Sequence, residues 1–257
     1  MKRAPSRLSP ARRRVSLLWA ALLWAPVACS APPAAEPEAP PPATAATPAA
    51  TPAVAAPPAA TPAATPGPYR APQPHPDPAA AGIGARLPLD LVWRDVSGDG
   101  QGTLGSLVEG APAVVIVLTS LRCPLTRLYA AHLRERLEPA LAKGVRVLVL
   151  DSLPQDGESD LRELAAGQGW TWPVARDPEG RWTRALRAER TTDVFLVDSA
   201  GALRYRGALD DQYGLGYRLP APRQRLLLEA LEAVLAGREP ACPATLAPGC
   251  LLPAPPG

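Results

Sequence analysis

The run Val114-Val115-Ile116-Val117-Leu118 leads through Thr119-Ser120-Leu121-Arg122 into Cys123-Pro124. An apolar, largely β-branched run of this length predicts a buried strand. After the cysteine, Leu125, Leu128, Tyr129, Leu133 and Leu137 recur at helical spacing. Cys123 therefore stands where a strand hands over to a helix. Pro124 suits the first helical position, because it has no N–H to leave unpaired and its φ is already helical. The free N–H groups and the dipole of a helix N-terminus favour an anion there. Arg122 and Arg127 add positive charge nearby. Together these conditions lower a thiol's pKa and make it a nucleophile. The competing reading is a buried structural cysteine in a small α/β core.

The first third of the chain is not folded-domain material. Lys2, Arg3, Arg7, Arg12, Arg13 and Arg14 precede an apolar stretch from Leu17 to Ala28 that is too short to span a bilayer. Residues 1–28 read as an export signal. Cys29 directly after it resembles the lipidated cysteine of a bacterial lipoprotein, although Pro26 stands where that pattern has leucine. An ordinary cleaved signal ending near Ala28 is the alternative. Residues 29–82 are rich in Ala, Pro and Thr and poor in larger apolar side chains, so they are expected to form a disordered, extended tether. His75 lies in that tether and is given no chemistry. Removal of the signal leaves 21 basic against 24 acidic residues, a net charge of −3 in place of the whole chain's +3. That balance offers no electrostatic footprint for nucleic acid. The chain is expected to face the periplasm of a bacterial envelope, lipid-anchored at the outer rather than the inner membrane, with Ser30 after Cys29 as the hint.

Residues 83–237 carry the folded pattern, and 238–257 form a cysteine-containing tail. Strands are expected at Leu87–Val96, Val114–Leu118 and Val145–Leu150, with a short extended piece at Trp172–Ala175. Val194–Val197 and Leu203–Leu209 should form a hairpin around Asp198-Ser199-Ala200-Gly201. Helices are expected from Pro124 to about Lys143, kinked or divided at Pro139. Others follow over Ser159–Ala166, Arg181–Ala188 and Arg223–Ala236, the last ended by Gly237. Besides Cys29 there are three cysteines, Cys123, Cys242 and Cys250. Three thiols cannot all pair within one molecule, which favours a redox cycle over a static staple.

Three motifs in order carry a resemblance. They are Thr119-Ser120-Leu121-Arg122-Cys123-Pro124, the run Thr191-Thr192-Asp193-Val194-Phe195-Leu196-Val197-Asp198, and Arg204-Tyr205-Arg206-Gly207-Ala208-Leu209-Asp210-Asp211-Gln212-Tyr213. With them the region from Ile83 to Cys250 resembles the thioredoxin-like redoxin family, in the alkyl hydroperoxide reductase/thiol-specific antioxidant branch. The resemblance implies an α/β thioredoxin-like fold, a central mixed sheet flanked by helices. It also implies an oxidoreductase that attacks a disulfide or a peroxide through Cys123, drawing on a reductant the sequence does not identify. No cofactor and no metal is expected. The alternative is a non-catalytic thioredoxin-fold lipoprotein that binds another envelope protein.

The chain departs from its relatives at several points. Dithiol members have Cys-x-x-Cys, whereas here Thr126 fills the second place; it is expected to hydrogen-bond a thiolate but cannot resolve a disulfide. Thr192 stands where thioredoxins have a cis-proline. Ser120 fills the place of a peroxiredoxin threonine, Ile116 that of a proline, and Arg187 or Arg190 would have to supply the catalytic arginine. Copper delivery would need a second cysteine where Arg127 stands. His132 is nine residues from Cys123, about 13 Å along a helix, too far to share a metal. In this fold the last helix runs away from the active-site pole for about 20 Å. Cys242 could barely return to Cys123, whereas Cys250 has slack on the order of 45 Å. Three pairings stay open: Cys123–Cys250, a Cys242–Cys250 staple, and Cys123–Cys242. Asp210 and Asp211 are expected either to line the site or to cap the next segment. Trp170 and Trp172 read as packing residues.

Overall fold

The computed structural model describes residues 67–253; the expected export signal, Cys29 and most of the expected tether lie outside the described residues. Five strands form the central sheet: β3 (Ala113–Thr119), β4 (Arg146–Asp151), β5 (Val174–Arg176), β6 (Val194–Asp198) and β7 (Leu203–Gly207). Their spatial order is β5-β4-β3-β6-β7. β3, β4 and β5 run parallel, while β6 is antiparallel to β3 and β7 to β6. This is the thioredoxin-like arrangement that the motif order predicts. Before it comes a small hairpin, β1 (Val92–Arg94) with β2 (Gln101–Thr103), joined through the glycine-containing run Ser97-Gly98-Asp99-Gly100.

Alternation along β3 builds two cores, since successive side chains on a strand point to opposite faces. Val115 and Val117 pack with Leu133 and Leu137 of α2 (Pro124–Leu141), Leu161 of α3 (Glu158–Gly167), and Leu227 and Leu231 of α5 (Leu226–Leu235). Val114, Ile116 and Leu118 pack on the other face with Leu104 and Leu107 of α1 (Leu104–Val108) and with Trp182 and Leu186 of α4 (Arg181–Leu186). The central strand β3 is buried along its whole length.

Some expectations are corrected. α2 is a single helix that runs through Pro139. The proline falls in the last turn, where the missing N–H costs one bond and the helix ends two residues later. Helix α1 was not foreseen, because five residues are too few to show a period; the reciprocal Thr103–Ser106 capping box was its only signal. Nor was the miniature hairpin of β8 (Tyr213–Gly214) and β9 (Tyr217–Arg218).

Two segments outside the expected domain lie against it. Residues 67–82, assigned to the tether, make defined contacts: the Tyr69 hydroxyl donates to Asp211 Oδ2 at 2.7 Å, and His75 N donates to Ala244 O at 2.9 Å. The tail covers the outer edge of β7, where Arg206 N donates to Pro243 O and Thr245 N to Arg206 O, each at 3.0 Å. An open strand edge is thereby closed. Gly207 is what permits the approach. Its φ of +136° disfavours any side chain, and a Cβ there would run into Thr245. Gly207→Ala is expected to cost about 1–3 kcal/mol and to loosen the tail. Urea unfolding should show a lower midpoint, and limited proteolysis should cut first between residues 238 and 253.

Candidate active site

β3 ends in a polar loop, and that loop shapes the first turn of α2. Thr126 Oγ1 donates to the carbonyls of Ser120 (2.5 Å) and Cys123 (2.8 Å), and Ser120 Oγ accepts from Arg122 N at 3.1 Å. Asp156, buried on the loop before α3, accepts from Leu121 N at 2.7 Å and lies 3.3 Å from Arg122 Nε. Cys123 is thus set as the N-cap of α2, with extended backbone and only 1% exposure.

The tail brings a second sulfur to it. Thr191 N donates to Cys250 O at 3.0 Å, Arg190 Nη1 donates to Gly249 O at 3.0 Å, and Thr192 Oγ1 donates to Pro248 O at 3.2 Å. Gly249 passes so close to Thr192 that a Cβ would lie 2.6 Å from its hydroxyl. Cys250 Sγ then donates to Cys123 Sγ across 3.1 Å, both thiols being unpaired covalently. Cys242 is elsewhere, half-buried in a cleft with Leu226, Ala230 and Ala233 of α5. Of the three pairings, the fold brings together Cys123 and Cys250.

Burial alone would raise the Cys123 pKa. The polar surroundings of the sulfur, the Thr191 side chain first, then the Thr126 backbone and the thiol and backbone of Cys250, outweigh it, and the pKa falls to about 7. Cys250 shifts the other way, because its proton is held on the Cys123 sulfur. The stabilising groups differ from those expected. Thr126 acts through its backbone, while its hydroxyl is spent on the loop carbonyls. Arg122 turns to Asp156, Arg187 donates to the carbonyls of Ala79 and Ala80, and Arg190 binds the tail. The group bonded directly to the Cys123 sulfur is the Cys250 thiol.

The remaining expected site residues have structural employment. Asp210 lies 3.2 Å from Arg136 Nε and accepts from Gln212 N. Asp211 accepts from Arg223 N, Gln224 N and Tyr69, ahead of α5. Both carboxylates thus serve the turn, which corrects the expectation that they line the site. Ser120 shapes the loop. Thr192 holds the tail and lines, with Thr126, Leu133, Trp170 and Leu209, an apolar cleft of about 320 Å³. His132 stacks on Tyr213 and Trp170 on Trp172.

Three residues escaped the sequence reading. Thr191 was visible only as the neighbour of Thr192. Asp151, at the end of β4, and Asp156 form a buried acidic pair beneath the loop. Burial first, then the charge and hydrogen bond of Asp156, push the Asp151 carboxyl up to about 8. Their spacing across a loop has no periodic signature.

Residues 90–206 match the model of the AhpC/TSA family. Over that stretch the domain resembles the redoxins of this family, and its fold is thioredoxin-like. No curated protein matches the chain. An uncharacterized conserved protein from Geobacillus kaustophilus is 22% identical, over 69% of this chain and 94% of that one, with a TM-score of 0.59. A hypothetical protein from Sinorhizobium meliloti 1021 is 24% identical, over 66% and 92%, with a TM-score of 0.57. These two likenesses concern the fold, and the family match supports a redox function in general. The redoxin match ends at β7. The 67–82 segment, the β8–β9 hairpin, α5 and the tail with Cys250 all lie beyond it.

Two outcomes follow. Thr191→Val should raise the pKa read from the pH dependence of Cys123 alkylation by about one, the worth of one hydrogen bond to a charged sulfur. Asp151 titrates near 8 when folded and near 4 when unfolded. The native state therefore binds the extra proton between those values, and stability falls as pH rises through that window. Asp151→Asn should flatten that fall, measured by urea unfolding at pH 5, 6, 7 and 8.

Proposed function

We propose that the redoxin domain is a thiol oxidoreductase in which the Cys123 thiolate attacks and Cys250 resolves. The 3.1 Å contact between the two sulfurs is the observation that carries this reading. A disulfide needs them about 1 Å closer. At neutral pH a thiol with a pKa of about 7 is substantially ionised. Attack on a disulfide leaves Cys123 in a mixed disulfide and expels one thiolate. Cys250 then loses its proton, attacks the Cys123 sulfur, and expels the second. The order is built in. Cys250 keeps its proton while it donates to a Cys123 thiolate, and is released from that role once Cys123 has reacted.

A peroxide is the second reading, favoured by the AhpC/TSA match and by the burial of Cys123, which obstructs a bulky disulfide more than a small oxidant. Attack on the O–O bond gives a Cys123 sulfenic acid and an alcohol or water. Cys250 then condenses with it, releasing water. The groups on the thiolate include no guanidinium, so disulfide exchange is the first choice. A purely non-catalytic scaffold fits poorly with a lowered thiol pKa beside a second thiol. The basic leader, the apolar stretch and Cys29 support an extracytoplasmic place with a lipid anchor, the tether holding the domain off the membrane.

Oxidising the full chain with one equivalent of either a small disulfide or hydrogen peroxide separates these readings. Peptide mapping should find Cys123 joined to Cys250. In Cys250→Ser, peroxide should leave a sulfenic acid on Cys123 that dimedone traps. A Cys242–Cys250 link with Cys123 still reduced would overturn the mechanism.

A further inference from the structure

The two sulfurs differ in access, since Cys123 is 1% exposed and Cys250 is an exposed residue. An incoming thiol therefore meets the Cys123–Cys250 disulfide at Cys250. The chain leading to Cys250 lines a cleft of about 590 Å³, whose walls include Arg70, Pro72, Leu215, Tyr217, Leu246 and Pro248. Pro248 is two residues before Cys250. Every wall belongs to a segment outside the family-matched residues 90–206: the end of the tether, the β8–β9 hairpin, and the tail.

The cleft is held in shape by bonds that tie these segments together. Gly67 N donates to Gly216 O, and Leu246 N donates to Gln73 O at 2.8 Å. Tyr69 packs edge-on against Tyr217, beneath the Arg223 guanidinium. Five large apolar side chains are exposed among the described residues, and two of them line this cleft: Leu215 at 72% and Leu246 at 38%. Such a concentration marks a contact surface. Arg70 is the charged residue among its walls, and no acidic residue lines it; Asp211, behind Tyr69, is already bonded to the Tyr69 hydroxyl and Arg223 N.

We propose that this cleft docks the electron-donating partner, a dithiol protein that presents an apolar side chain and a carboxylate next to its reactive cysteine. The apolar side chain enters between Leu215, Tyr217 and Pro248, and the carboxylate meets Arg70. The partner thiolate then attacks Cys250 Sγ, breaking the Cys123–Cys250 bond, and Cys123 leaves as a thiolate. The partner's second thiol gives up its proton to solvent and attacks the partner sulfur joined to Cys250. The partner ends as a disulfide, oxidised by two electrons, and Cys250 leaves as a thiolate that takes a proton from solvent. This inference rests on the redox cycle proposed above.

The test uses the oxidised full chain, its Cys123–Cys250 link verified by mapping. Reduction rates are measured with dithiothreitol and with a synthetic dithiol peptide that carries leucine and glutamate before its first cysteine. A control peptide has serine and glutamine at those two places. The leucine–glutamate peptide should react at least tenfold faster than the control. In Leu215→Ser and in Arg70→Glu that preference should fall to about threefold or less. Both positions are exposed, so the fold should tolerate the changes. Equal rates for the two peptides, or a preference unmoved by both variants, would overturn the docking site. Failure to form the Cys123–Cys250 link at all would instead overturn the redox cycle.

Discussion

The arrangement of the site depends on one buried guanidinium. Arg206, on β7, is almost wholly enclosed. Its Nη1 donates to Arg187 O at 2.8 Å, and its Nη2 lies 3.5 Å from Asp193 Oδ2 and 3.4 Å from Glu189 Oε1. Asp193 is itself buried, which pushes its carboxyl up while Arg206 and the N–H groups of Glu189 and Arg190 pull it down. A buried charge without its partner is costly, on the order of 3–5 kcal/mol. The loop from 187 to 193 is thus clamped to the sheet. That same loop offers Thr191 N, Arg190 Nη1 and Thr192 Oγ1 to the tail. The clamp therefore fixes the distance between two sulfurs that are 127 residues apart in the chain.

Much of this was legible because it is local or periodic. The strand before Cys123, Pro124 at the first helical position, and the leucine spacing of α2 announce themselves in a few dozen residues. So do β6 and β7, with a turn of Asp, Ser, Ala and Gly between them. Cys123 as an N-cap followed from the same local grammar. Arg122 and Arg127 show the limit of that grammar. Nearness in sequence suggested that their charge acts on the sulfur, but Arg122 was drawn off by Asp156, a residue 34 positions later. Thr191 works through a rotamer and a loop path that no spacing reveals.

Chain reach narrowed the choice among cysteines but did not decide it. Slack in the tail made Cys250 able to return to Cys123, which is a permissive argument. The deciding contacts are specific ones: Gly207 letting Thr245 against β7, Gly249 letting the chain past Thr192, and Arg190 holding the Gly249 carbonyl. Composition concealed these. An Ala- and Pro-rich tail reads like the tether at the other end of the chain, and Gly249 within it and Gly207 on β7 distinguish it only once their neighbours are known. The same applies to residues 67–82, where Tyr69 finds Asp211, Arg223 and Tyr217 at once.

Moving the second thiol from the helix to the tail changes what the site can be. In a Cys-x-x-Cys turn both sulfurs ride on one rigid element, and their approach needs nothing else. Here the place of the second cysteine is taken by Thr126, whose hydroxyl closes the loop carbonyls of Ser120 and Cys123. The first turn of α2 is therefore held in shape without a disulfide. In the mechanism proposed above, the resolving sulfur rides on a strip of chain held by hydrogen bonds, among them Thr191 N to Cys250 O and Arg190 Nη1 to Gly249 O. Such strips open at far lower free energy than a core does.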